Sequence, residues 1–317
     1  MEEHLQKSIE DVFNQSGLNR LPKQFGHGRI FSTPLLGVAA GDDPIFLKYK
    51  ELVHFQHLTP SEMWVKSRLA DSNDLVPPLR IVSIIFPYEK RIRDENKGQR
   101  TMPADIYCMA RNFGHAFMNE VLRQTIGFFQ KQGYRGVAGL LSPAYQIIEL
   151  EGDFASTWSE RHMAFAAGLG TFSLKGDLIT DAGCNARIAS VLTDAPLQVT
   201  PRRSDSPYGN CLYYAKGNCK ECAKRCPASA ISDGGHDKGR CYAYRLRVAK
   251  EMDKRLGSLL RPHYWDVDRH GIFYEVARGI NRRLRSLLKP TYRPVGCALC
   301  QFDVPCTERN PLASPDK

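Results

Sequence analysis

The chain has 317 residues, with 42% hydrophobic and 25% charged residues and a formal charge of +10. This is the profile of a folded globular chain with room for about two domains, and it excludes wholesale disorder. No window approaches the 18 or more apolar residues of a membrane-spanning helix. The acidic, amphipathic start MEEHLQKSIEDVF also lacks the basic and apolar regions of a signal peptide, so the sequence predicts a cytoplasmic protein with no membrane association.

In chain order, residues 2–15 read as an amphipathic helix carrying Leu5, Ile9, Val12 and Phe13 on one face. Thr59-Pro60-Ser61-Glu62 is a capping box opening a short helix through Leu69. Leu79–Phe86, a β-branched run bounded by Pro78 and Pro87, predicts a buried strand. The helical period of Phe117, Val121, Leu122, Ile126 and Phe129 predicts a long helix over 104–131, stopped by Gly133. A strand is expected at 136–141, and Thr157-x-x-Glu160 is read as opening a helix to about Ala167. Leu178–Thr180 and Ile188–Thr193 are expected to pair as strands. Alternating helices and strands up to about residue 197 indicate one layered domain, and the polar connector after Pro196 places a boundary near 200/201.

Eight of the ten cysteines follow that boundary. In a reducing compartment such enrichment points to metal or cluster ligation rather than disulfides. Cys219-x2-Cys222-x3-Cys226-Pro227 is the back three-quarters of the bacterial ferredoxin motif, in which the cysteine before proline ligates a second cluster. Cys211 stands in for the missing leading ligand. A second group consists of Cys241, Cys297-x2-Cys300 and Cys306. The expected partition is Cys211, Cys219, Cys222 and Cys306 on one [4Fe–4S] cluster, and Cys226, Cys241, Cys297 and Cys300 on the other. A zinc ribbon needs only four cysteines and leaves the rest unexplained; inert thiols are the remaining alternative. Cys108 is expected to pack inside a helix, while Cys184 sits on a loop that either packs or faces a cofactor.

Three segments then carry a family resemblance. Ala166-Ala-Gly-Leu-Gly170-Thr-Phe-Ser-Leu-Lys-Gly176, Leu178-Ile-Thr-Asp-Ala-Gly183 and Ile188-Ala-Ser-Val-Leu-Thr-Asp194 resemble the core of epoxyqueuosine reductases and cobalamin-dependent reductive dehalogenases. Arg240-Cys241-Tyr242 and Gly296-Cys-Ala-Leu-Cys300-Gln resemble the second-cluster half of epoxyqueuosine reductase. The match spans roughly residues 104–310. It implies an α+β protein: a nitroreductase-like α/β domain (1–200) holding base-off cobalamin, followed by a bacterial ferredoxin-like domain (201–317) with two [4Fe–4S] clusters. It further implies a reductive reaction through Co(I). By position, Gly168, Gly170, Gly176 and Gly183 would let the backbone approach the corrin; otherwise they are helix ends and turns. Epoxyqueuosine reductases carry a V-D-T-G-P-like segment whose Asp donates a proton. Here the stretch reads Glu151-Gly-Asp153-Phe-Ala-Ser-Thr157, with Asp153 displaced by about one place.

A proton donor must be protonated near neutral pH and close to substrate, and the candidates are Asp153, Tyr145 and His162, in that order. Their structural alternatives are a loop acid, a core-edge tyrosine and a solvated histidine. Between Arg240 and Arg293 lie 14 Lys and Arg against 5 Asp and Glu. Within 245–293, Arg282, Arg283 and Arg285 with Tyr264, Trp265, Phe273 and Tyr274 would suit an acidic electron donor such as flavodoxin or ferredoxin, or RNA. The third option is a solvated helix over Ile272–Leu288. The expected function is therefore a corrinoid- and iron–sulfur-dependent reductase acting on a small-molecule or tRNA-borne substrate. The alternatives are a non-catalytic two-cluster protein that reduces a partner's corrinoid, and a reductive dehalogenase.

Overall fold

The computed structural model describes residues 1–69, 75–151, 153–204, 206–260 and 295–313. Its centre is a four-stranded antiparallel sheet of β1 (Leu35–Ala40), β2 (Arg80–Pro87), β3 (Gly136–Ala138) and a strand numbered β8 by chain order (Ala186–Thr193), in the spatial order β1-β2-β8-β3. The sheet is covered on both faces, which is why β2 reads as an almost unbroken apolar run. Val82, Ile84 and Phe86 point to one core, whereas Ile81 and Ile85 alternate to the other side.

On the first face lie α1 (Glu2–Gln15), with Leu5, Ile9 and Phe13 buried at helical spacing, and the 26-residue α5 (Asp105–Gln130). Phe13 meets Phe117 edge-on with centroids 4.9 Å apart and stacks on Phe86 at 5.2 Å. Buried Asn19 secures the turn after α1. Its amide donates to the carbonyls of Phe13 and Phe31 at 2.9 and 3.0 Å and accepts the Phe31 N–H at 2.9 Å. On the second face pack α2 (Ile45–Leu52), α3 (Pro60–Lys66) and α6 (Glu160–Ala166). The core there is built on Phe46, Tyr49, Trp64 and Trp158. The α3 capping box forms as the sequence predicts. A charged helix, α4 (Lys90–Lys97), follows β2.

Several local expectations are corrected. Leu178–Thr180 (β7) pairs not with β8 but with Gly170–Phe172 (β6), because β8 is already bonded on both edges, to β2 and β3. The expected strand at 136–141 shortens to β3 and then becomes a 3-10 turn, Gly139–Leu141. Thr157 does not cap α6. Its hydroxyl accepts from the Gln146 N–H at 2.8 Å and donates to the Ala144 carbonyl at 2.9 Å, and the helix starts at Glu160 after Ser159. The hairpin β4 (Ile147–Leu150)–β5 (Asp153–Ser156) fills the stretch between them.

The cysteine-rich part contributes α7 (Leu212–Lys216), α8 (Glu221–Arg225), the small hairpin β9 (Ile231–Ser232)–β10 (Gly235–His236), and α9 (Lys238–Leu256). Val248, Met252, Leu256, Val295 and Phe302 join the core built on α1 and α5. Among the described residues no helix is long and apolar enough to cross a membrane. Most of the basic 245–293 segment, including the helix expected over Ile272–Leu288, lies outside the described residues.

Candidate functional site

Two short helices and one long one position the thiols. Cys211 precedes α7, Cys219 and Cys222 bracket the start of α8, and Cys226 follows its end. Cys241 lies in the first turn of α9, whose N-terminus is capped by Asp237 accepting the Arg240 N–H at 2.8 Å. Cys297, Cys300 and Cys306 arrive on the final described stretch. Cys211, Cys222, Cys226, Cys300 and Cys306 meet Leu174, Ile179, Cys184 and Ile231 in one apolar cluster.

The buried thiols also influence one another. Cys222 feels the charges of Cys306 and Cys211. Cys297 feels Cys241 and Cys226, and Cys300 feels Cys297 and Cys226. Burial pushes the Cys222 thiol up to about 11 and Cys297 up to about 12, and it raises Cys241 and Cys300 as well. Buried thiols of this kind carry their protons unless a cation replaces them. Cys306 departs from this pattern: the hydrogen bond with Cys184, 3.8 Å between sulfurs, and the ammonium of Lys175, 3.4 Å away, hold it below the usual thiol range. Cys219 is half-buried near Lys224. A zinc ribbon gathers four donors around one ion. Among the described residues no three His, Cys, Asp or Glu side chains converge that closely. Five of the thiols instead line one apolar space, and Cys297 packs against the core built on α1 and α5.

The three candidate proton donors are placed differently. Asp153, exposed at the start of β5, pairs with Lys238 at 3.2 Å, and Lys238 also donates to the Phe154 carbonyl at 3.1 Å. This ties the β4–β5 hairpin to the first residue of α9. His162 packs edge-on against Tyr49, centroids 4.8 Å apart, with Nδ1 2.7 Å from the Ser159 hydroxyl. Burial, helped by the Arg161 charge, drives it down to about 3, so it is a neutral imidazole at physiological pH and not the solvated histidine of the alternative reading. Tyr145 is half-buried at the junction of the two cores.

Sequence reasoning missed Glu160 and Lys175. Glu160 was read as half of a capping box, yet both its carboxyl oxygens are shielded from solvent. Burial pushes this carboxyl up to about 8 against the opposing influence of the Ser190 hydroxyl, which itself accepts the Trp158 indole N–H at 3.1 Å. Lys175 sat inside the quoted family segment, but nothing in its local pattern marks a buried lysine; only the fold brings residues 301–306 over it.

The four glycines proposed for corrin contact are largely occupied by the chain itself. A Cβ on Gly168 would lie 2.6 Å from the Pro201 carbonyl oxygen, on Gly170 2.3 Å from that of Ile179, and on Gly183 2.3 Å from that of Thr307. Gly168 and Gly183 also have φ of +73° and +81°, so they are needed for the turns they make. Gly176 alone has clearance, since a Cβ there would stand 3.8 Å from the Arg161 guanidinium. Gly168, Gly170 and Gly183 are thus accounted for by the chain's own turns and close backbone contacts.

No protein-family profile matches the chain, and no curated protein does. Among solved structures, a selenomethionine-labelled epoxyqueuosine reductase matches at TM-score 0.51 and 15% identity, covering 96% of this chain and 65% of that one. The chain therefore spans just under two thirds of that structure's length. Epoxyqueuosine reductase from Streptococcus thermophilus matches at TM-score 0.49 and 14% identity, covering 100% of this chain and 69% of that one. A catabolic reductive dehalogenase matches at 0.45 and 17% over 78% of this chain and 34% of that one. The fold is similar to that of epoxyqueuosine reductase, as the sequence segments indicated.

Proposed function

We propose that this chain is a reductase that binds two [4Fe–4S] clusters through Cys211, Cys219, Cys222 and Cys306 and through Cys226, Cys241, Cys297 and Cys300. The observation that carries the reading is the gathering of Cys211, Cys222, Cys226, Cys300 and Cys306, distant in sequence, into one apolar cluster beside the Lys175 ammonium. When bound, such clusters supply single electrons at low potential. Around them the chain provides thiolates, an apolar enclosure that excludes water, and the Lys175 ammonium at Cys306. Near neutral pH the Glu160 carboxyl holds a proton, whereas His162 does not, which keeps His162 last in the donor order. Asp153, at the contact with α9, and Tyr145 remain the candidates.

Cobalamin is the second redox group implied by the resemblance; three of the four glycines given to it are already needed by the chain's own packing, and no step is routed through it. The alternative reading is a two-cluster electron-transfer protein serving a partner's corrinoid. In either case the exposed Arg247, Lys250, Lys254 and Arg255 on α9 would suit an acidic donor such as flavodoxin or ferredoxin. The substrate class, small-molecule or tRNA-borne, belongs to the same proposal.

The test is anaerobic reconstitution with iron, sulfide and hydroxocobalamin, followed by desalting and metal analysis. About eight iron per chain is expected for two cubane clusters. One retained cobalt would favour the corrinoid reductase, and eight iron without cobalt the electron-transfer reading. Zinc with little iron overturns both.

A further inference from the structure

Lys175 is a buried lysine for which the proposed function has so far supplied no necessity. It lies between β6 and β7, its side chain 1% exposed, and its ammonium is 3.2 Å from Asp177 Oδ1 and 3.4 Å from Cys306 Sγ. A buried ammonium must be paired, and Asp177 pairs it. Asp177 is in turn held by the Ser173 hydroxyl and by Gln301 Nε2, which donates to its Oδ2 at 2.9 Å. The Gln301 Oε1 lies 3.4 Å from Asn185 Nδ2, and the Cys306 carbonyl accepts the Cys184 N–H at 2.8 Å. Residues 173–185 and 301–306 are thereby locked together, with a positive charge at hydrogen-bond range of the Cys306 sulfur and its field reaching Cys300 more weakly.

We propose that Lys175 is a positioning residue that sets the reduction potential of the cluster held by Cys211, Cys219, Cys222 and Cys306, with Asp177 setting how much of its charge reaches the sulfur. This rests on the two-cluster reading. A cluster gains negative charge on reduction, and a charged donor on its thiolate stabilises the reduced form more than the oxidised one. Removing the ammonium therefore shifts that cluster's midpoint to more negative potential. Removing the Asp177 charge leaves the ammonium less neutralised and shifts the midpoint the other way. A merely structural role would not give opposite signs at two partners of one salt bridge.

The experiment is an EPR-monitored redox titration of the reconstituted full chain as wild type, Lys175→Met, Lys175→Arg and Asp177→Asn. The expected result is one midpoint lowered in K175M, restored for the most part in K175R and raised in D177N, with the other cluster's midpoint, which the pair reaches through Cys300, moving less in each variant. Should K175M fail to fold, the upward shift in D177N and the near-native value in K175R still decide the matter. Full iron loading with both midpoints unmoved, or with K175M and D177N shifting in the same direction, overturns the inference alone. A wild-type chain that takes up no iron overturns the cluster reading and the inference with it.

Discussion

Replacing Glu160 with Gln removes one ionisation from the buried face of α6 while keeping the shape of the side chain. The wild-type carboxyl goes from its ordinary 4.5 to about 8 through burial. The folded chain therefore keeps a proton that the unfolded chain releases, and stability falls as pH rises from about 4.5 to about 8, levelling off beyond. At about 1.4 kcal/mol for each tenfold change in proton affinity, the full effect is ~5 kcal/mol at most. His57, driven down to about 4 by burial and the Lys50 charge, and His162 at about 3 act in the opposite direction. Each favours folding increasingly as pH rises toward about 6.5, where an ordinary histidine titrates. The raw stability curve mixes all three groups, but the difference between wild type and E160Q isolates Glu160. Urea unfolding of the anaerobic holoprotein at pH 5, 6, 7 and 8 should show E160Q gaining on the wild type by roughly 1 kcal/mol per pH step. A difference that does not vary with pH, or a glutamine variant that loses ground at pH 8, would refute the argument.

The remaining substitutions probe other parts of the site. Asp153→Asn breaks an exposed pair with Lys238 and should change stability by at most ~1 kcal/mol, so a large loss of turnover with unchanged unfolding would mark Asp153 as the proton donor. Gly183→Ala drives a methyl group toward the Thr307 carbonyl and forces a residue at φ +81° into strain, and thermal unfolding should register a loss of ~1–3 kcal/mol or more. Trp158→Ala empties the core beneath α6 and leaves Ser190 without its indole donor, for an expected ~3–5 kcal/mol in urea titration.

Where the chemistry of single residues settles local structure, the sequence was readable. The Thr59–Glu62 capping box, the apolar run of β2 and the period of α5 appear as expected. The similarity of residues 166–194 to epoxyqueuosine reductases carried through to the fold. What could not be read depends on distant contacts. β8 takes the sheet's interior because β2 and β3 both reach it, and no local pattern says that β7 must then turn to β6. Gly168, Gly170 and Gly183 look like an opening for a ligand until Pro201, Ile179 and Thr307 are placed against them. Thr157-x-x-Glu160 satisfies a capping pattern, yet Thr157 is claimed by residues 144 and 146, which leaves Glu160 buried. Lys175 becomes informative only once Cys306, 131 positions away, lies beside it.

The central claim is that the eight cysteines form two sets, and it is tested most directly by counting iron in Cys222→Ser and Cys297→Ser after anaerobic reconstitution, beside the wild type. Each substitution removes a ligand from a different set, so each variant should keep about four of about eight irons and lose a different EPR signal on reduction. Loss of the same signal in both variants, or full iron in either, would contradict the partition.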